Sequence, residues 1–153
     1  MARLNRRLGL LPDGKLLERG VSPHILFVDD EAPIRELLAL YFRKKGFAVT
    51  TAVTAAEARG LIDKNAFDLA VLDVNLAGEN GLDLLSYIRN ERGPVPVVIF
   101  TGLTGDPDLL QKALAAGANG FMKKADPLGV LFHEVCRHLP AGRTGQSAQS
   151  GVM

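Results

Sequence analysis

The chain has 153 residues, 47 % of them hydrophobic and 23 % charged, with a formal net charge of +1. That is the balance of an ordinary globular domain, and it gives no electrostatic case for direct nucleic-acid or membrane-surface binding. The longest wholly apolar run, Val95 to Phe100, is far too short to cross a bilayer, and the single Cys136 excludes an internal disulfide or a cysteine-based zinc site while fitting a reducing cytoplasm.

The first 20 residues hold five basic side chains against two acidic ones. Their apolar stretch is short and ends at Pro12, so they do not read as a secretory signal. Residues 1–22 read as a basic N-terminal extension, either a solvated arm or one that touches an acidic surface. Regular patterning starts at His24, where HILFV (24–28) is a short, β-rich apolar run. Glu31 to Lys45 then sets Ile34, Leu37, Leu38, Tyr41 and Phe42 at helical spacing, with Gly46 as a stop. FAVTTA (47–52) is a second strand, and Thr54 caps a helix to about Asp63 with Glu57 in the capping-box position. FDLAVLD (67–73) is a third, buried strand.

Leu82, Leu85 and Ile88 line a helix that Gly93 and Pro94 end, and VPVVIFT (95–101) is the fourth strand. Asp106 is expected to open a helix carrying Leu109, Leu110, Ala113 and Leu114, closed by Gly117. NGFMK (119–123) is a fifth strand, and Asp126 with Pro127 is expected to cap a last helix whose apolar face is Leu128, Leu131, Phe132 and Val135. Residues 140–153, rich in Gly, Ser and Gln, read as a disordered tail. Strands and helices alternate, and the strands are nearly continuous in apolar residues. This predicts an α/β fold, a five-stranded parallel sheet covered on both faces and doubly wound by right-handed crossovers. Ligands of such sheets bind beyond the carboxyl ends of the strands.

Those ends carry the chemistry. The first strand ends in Asp29 and Asp30, the third in Asp73, the fourth in Thr101, and the fifth runs into Lys123 and Lys124. No Ser–His or Cys–His arrangement and no Gly-rich phosphate loop appears among them. Taken singly, each aspartate could be a helix cap or a turn former. Taken together, three carboxylates stay ionised side by side only if cations compensate them. An all-oxygen site suits Mg²⁺, with Mn²⁺ as a substitute, and such a site attracts a phosphoryl group. An ionised aspartate at its centre is then a nucleophile able to accept that group.

Four stretches, FVDDEAPIR (27–35), VLDVNLAGENGLDLL (71–85), IFTGLTG (99–105) and GANGFMKKA (117–125), resemble the receiver domains of bacterial two-component response regulators, in order and at the usual spacing. The resemblance covers about residues 23–139 and implies the flavodoxin-like (βα)5 three-layer sandwich. It also implies roles. Asp73 would be the phosphoacceptor, Asp30 a direct Mg²⁺ ligand, Asp29 a ligand mainly through water, and the Asn75 backbone carbonyl a further ligand. Thr101 and Lys124 would each hold a phosphoryl oxygen, with Lys123 left facing solvent. Phe121 falls at the aromatic switch position, its alternative being a simple core aromatic.

The chain departs from the family at three positions. Ala77 and Ala125 stand where many members have Pro, so the Lys124–Ala125 bond is either trans with an altered loop or a site of strain. Leu103 is apolar and cannot orient an attacking water, which predicts slow hydrolysis of the modified aspartate. His133 reads as a surface or interface residue, and Cys136 as packed. The expected function is a phosphoacceptor switch in the cytoplasm, not an enzyme with turnover. Its partners would be a sensor histidine kinase or histidine phosphotransfer protein, a downstream protein target, and a second copy meeting the last two helices. Too few residues follow Leu139 for an output domain, so the chain is expected either to act alone or to be the receiver half of a longer regulator. The rivals are a phosphorylation-independent binding module of the same fold and an aspartate-nucleophile phosphatase. Asn75 argues against the latter because it cannot serve as a carboxylic general acid.

Overall fold

The computed structural model describes residues 22–102 and 106–139. Residues 1–21 of the proposed extension, the tail from Pro140 and the Leu103 position lie outside the described residues. The elements are β1 (His24–Val28), α1 (Ala32–Lys44), β2 (Ala48–Ala52), α2 (Ala55–Lys64), β3 (Leu69–Leu72), a two-residue pair β4 (Asn75–Leu76) and β5 (Glu79–Asn80), α3 (Gly81–Arg92), β6 (Val97–Thr101), α4 (Leu109–Ala115), β7 (Gly120–Lys123) and α5 (Leu128–His138). Five strands form one sheet in the order β2-β1-β3-β6-β7, every pair parallel. β4 and β5 form a separate antiparallel hairpin that the sequence reading did not anticipate.

Alternation along the strands splits the core into two layers. Ile25, Phe27, Val71, Val98 and Phe100 pack under α1 and α5, beside Leu38, Phe42, Leu131, Phe132 and Val135. Leu26, Val28, Ala70, Leu72, Val97 and Ile99 pack on the other face against α2, α3 and α4. The first layer holds an aromatic cluster: the Phe42 ring meets Phe27, Phe47 and Phe132 at centroid separations of 5.0 to 5.6 Å, in the tilted and edge-on geometries that aromatic quadrupoles favour.

Thr54 caps α2 as expected, its hydroxyl accepting from the Glu57 N–H at 3.0 Å. The return bond shifts by one residue, since Glu57 accepts from the Val53 N–H at 2.8 Å. Three expectations need correction. Asp126 does not cap α5. Its carboxylate turns back to the Lys123 N–H at 3.3 Å, and Pro127 occupies the cap position. Asp106 does not open α4, because it binds the Asp108 N–H in a local turn and the helix starts at Leu109. Leu37, Leu110 and Leu114 are 47 %, 43 % and 47 % exposed, so helical periodicity overstated the buried faces of α1 and α4.

At the amino-terminal end of the sheet, Arg89 of α3 gathers several loops. Its guanidinium donates to the carbonyls of Gly93 at 2.9 Å, Val95 at 2.6 Å and Gly117 at 2.6 Å, and to the Asn119 side chain at 2.6 Å. Asn119 Oδ1 also accepts from the Val97 N–H at 2.9 Å. At the start of β1, His24 Nε2 lies 2.7 Å from Thr50 Oγ1. Burial lowers the His24 pKa, against a smaller upward pull from Asp68. The stability that neutral His24 contributes is therefore complete above the ordinary imidazole value and is lost as the pH falls through the lowered one. A proton NMR titration from about pH 8 to about pH 5 should place the His24 ring below free histidine, and a value above it would contradict this sign.

Candidate functional site

The reversal of strand order lies between β1 and β3, since α1 leads outward to β2 on one face and α2 returns to β3 on the other. The crevice at such a point is where doubly wound sheets bind ligands. Parallel register sets Val28 beside Leu72, so the next residues, Asp29 and Asp73, emerge side by side. Thr101 ends β6 opposite Lys123, and the Lys124 N–H bonds the Thr101 carbonyl at 3.0 Å. The main chain alone therefore brings two carboxylates, a hydroxyl and an ammonium to one edge.

Asp29 and Asp73 are only 2 % and 4 % exposed. The Lys124 ammonium lies 2.8 Å from Asp29 Oδ2 and 2.7 Å from Asp73 Oδ2. A third acid, the exposed Glu31, reaches the same ammonium at 2.7 Å. The other oxygens of the buried pair are held by main-chain donors: Glu31 N–H to Asp29 Oδ1 at 2.9 Å, and Asn75 N–H to Asp73 Oδ1 at 3.1 Å. Asp30 turns its Oδ2 to the Ala77 N–H at 2.9 Å. Burial raises the Asp29 pKa in spite of Lys124. For Lys124, burial pulls the pKa down, but hydrogen bonds to Asp29, Asp73 and Glu31 outweigh it and the net shift is upward. Lys124 is thus a permanent cation facing more acids than it can neutralise.

One carboxylate oxygen from each of Asp29, Asp30 and Asp73 lies within 4.8 Å of the others. This all-oxygen, charge-rich group fits a hard divalent cation such as Mg²⁺. An open cleft of about 460 Å³ above it is lined by Asp30, Glu31, Asp73, Asn75, Thr101, Gly102 and Lys124. Of the seven residues singled out from sequence, Phe121 alone stands apart. It lies on β7 beside Ile99, half-buried against the α2–α3–α4 layer. Lys123 is exposed and the Lys124–Ala125 bond is trans. Sequence reasoning missed Glu31, the Ala77 N–H and Gly81. A Cβ on Gly81 would overlap the Asp73 carbonyl oxygen and lie 2.9 Å from Val74 Cα, so only glycine lets α3 start against the end of β3.

Residues 25–135 match the family model of the response regulator receiver domain. The chain belongs to that family. This receiver is 38 % identical over 125 residues to the protein PetR of Rhodobacter capsulatus, an alignment covering 80 % of this chain and 52 % of PetR. Among solved structures, the chemotaxis protein CheY4 of Vibrio cholerae superposes with a TM-score of 0.73 at 27 % identity, over 78 % of this chain and all of CheY4. The response regulator TrrA of Thermotoga maritima, solved in complex with Mg²⁺ and BeF, gives a TM-score of 0.69 at 28 % identity, over 76 % of this chain and 99 % of TrrA. The receiver spans about half the length of the curated relatives PetR and VanR. None of its described helices is long and apolar enough to cross a membrane.

Proposed function

We propose that this receiver accepts a phosphoryl group on Asp73 from a phosphohistidine donor, in a Mg²⁺-dependent step, and that the modified domain switches protein contacts in two-component signalling or phosphorelay. The observation that carries this reading is the Lys124 ammonium, 2.7 Å from Asp73, at a cleft where three aspartate oxygens converge. Asp29, Asp30, Asp73 and the Asn75 carbonyl would hold the ion, which when bound neutralises phosphoryl charge as a Lewis acid.

An Asp73 oxygen attacks phosphorus. The phosphorus–nitrogen bond of the donor breaks, and the imidazole nitrogen keeps the electron pair and takes up a proton. Lys124 stabilises the charge growing on one phosphoryl oxygen, and Thr101, which lines the same cleft, donates to another. Water later releases phosphate and restores Asp73. The domain catalyses only its own modification and demodification. Added charge at Asp73 draws Thr101 inward and repacks Phe121, biasing a two-state equilibrium toward the face made by α4, β7 and α5.

The partners are a cytoplasmic sensor histidine kinase or histidine phosphotransfer protein, and a downstream protein or a second copy received on that face. The exposed Leu110 and Leu114 on α4 and Val130 on α5 support the last assignment. The test compares wild type with Asp73→Asn after treatment with acetyl phosphate and Mg²⁺, read by intact mass. A single adduct is expected in wild type and none in Asp73→Asn or in EDTA. An adduct that survives Asp73→Asn would refute the assignment.

A further inference from the structure

Resting on the Mg²⁺-dependent reading above, we propose that the main-chain N–H of Ala77 is a positioning donor that aims Asp30 at the divalent cation. Asp29 and Asp73 are oriented by Lys124 and by the N–H groups of Glu31 and Asn75, each two residues further along the chain. Asp30 takes its main-chain donor from a distant turn, the Ala77 N–H, which reaches its Oδ2 at 2.9 Å across 47 residues of chain. One such bond restrains the carboxylate without exhausting its lone pairs, so the group stays able to ligate. A donor of this kind behind a ligand fixes its direction and strengthens metal binding.

The hairpin of β4 and β5 is built to present this N–H. Its two central residues, Ala77 and Gly78, have φ of 47° and 89°, the pair of positive values that a type I′ turn requires. The ladder bonds of a two-residue turn are made by the flanking residues, which leaves the N–H of the first central residue to donate elsewhere. An L-residue other than glycine, asparagine or aspartate seldom adopts such a φ. The turn is also tied down on its far side, where Glu79 accepts the Ala55 N–H at the start of α2 at 2.8 Å. The same hairpin carries Asn75, so one rigid element sets two of the proposed ligands. Proline, which many members of the family have at position 77, would remove the donor and, with φ fixed at about −65°, would replace this chain's turn with a different one.

The test is a Mg²⁺ titration of the full chain, by calorimetry and amide NMR shifts, for wild type, Ala77→Pro and Ala77→Gly. Ala77→Pro is expected to raise the Mg²⁺ Kd about tenfold, whereas Ala77→Gly, which keeps the N–H and relieves the φ, should stay within about twofold. Equal affinity in wild type and Ala77→Pro would overturn the proposal, as would an equal loss in Ala77→Gly. A second readout needs no proline: in metal-free protein the Ala77 amide resonance should move on Asp30→Asn, and an unmoved resonance would also overturn it. Wild type that binds no Mg²⁺ at all would instead sink the reading on which the proposal rests.

Discussion

Lys124→Met should destabilise the metal-free protein by about 3 kcal/mol, because removing one partner of a buried ion pair leaves the other uncompensated. Two such partners exist here. Asp29 and Asp73 are almost fully buried, and each holds the ammonium within 2.8 Å. Methionine keeps the length and apolar stem of the side chain, so the loss reports charge more than packing. Two conditions should shrink the deficit in urea melts. Mg²⁺ supplies the missing positive charge, and acid protonates Asp29, whose pKa burial already raises, so that neutralisation begins at a higher pH than for an ordinary carboxyl. The same variant should form the acetyl-phosphate adduct at least about 100-fold more slowly, the usual consequence of removing a preorganised electrostatic donor. A melt in EDTA as stable as wild type would mean that the ammonium's own desolvation cancels what it contributes.

Gly81→Ala is expected to cost about 3 kcal/mol, at the upper end of what overpacking does in a closed site. The obstruction is main chain. The new methyl would meet the Asp73 carbonyl and Val74 Cα, and neither can swing aside as a side-chain tip would. To make room, the start of α3 must retreat and give up the 2.7 Å bond from the Gly81 N–H to the Val74 carbonyl. Since that retreat drags the segment following Asp73, the variant should also lose beryllofluoride-induced NMR shifts around Asp73. Thermal unfolding at the wild-type temperature, with those shifts intact, would show that the segment yields without strain.

What the sequence made legible was whatever lies along one element. Apolar runs bounded by Asp29, Asp73 and Thr101 gave the strands, and their common exit edge followed from the parallel sheet. Lys124, and not Lys123, follows from the resemblance of GANGFMKKA (117–125) to the family pattern. What stayed hidden depends on distant chain. Glu31 meets Lys124 across 93 residues and Asp30 meets Ala77 across 47, and periodicity carries no signal for such pairings. Asp126 and Asp106 looked like helix caps because the residue type is right. Their carboxylates instead satisfied nearer N–H groups of Lys123 and Asp108. Leu110 and Leu114 sit at correct helical spacing, but spacing reports that a face is apolar and not what covers it.

Arg89 fixes the ends of the sheet that face away from the cleft. Its guanidinium ties the exit of α3 to the segments entering β6 and β7, while Thr101 and Lys124 stand at the opposite tips of those strands. Mechanically, β6 and β7 are cantilevers clamped at Val95 to Val97 and at Asn119. A displacement starting at Asp73 would meet free strand tips at one end and the Arg89 bonds at the other. In the switch proposed above, rearrangement would therefore pass sideways into α4, a helix of only seven residues, and not into the root of the sheet.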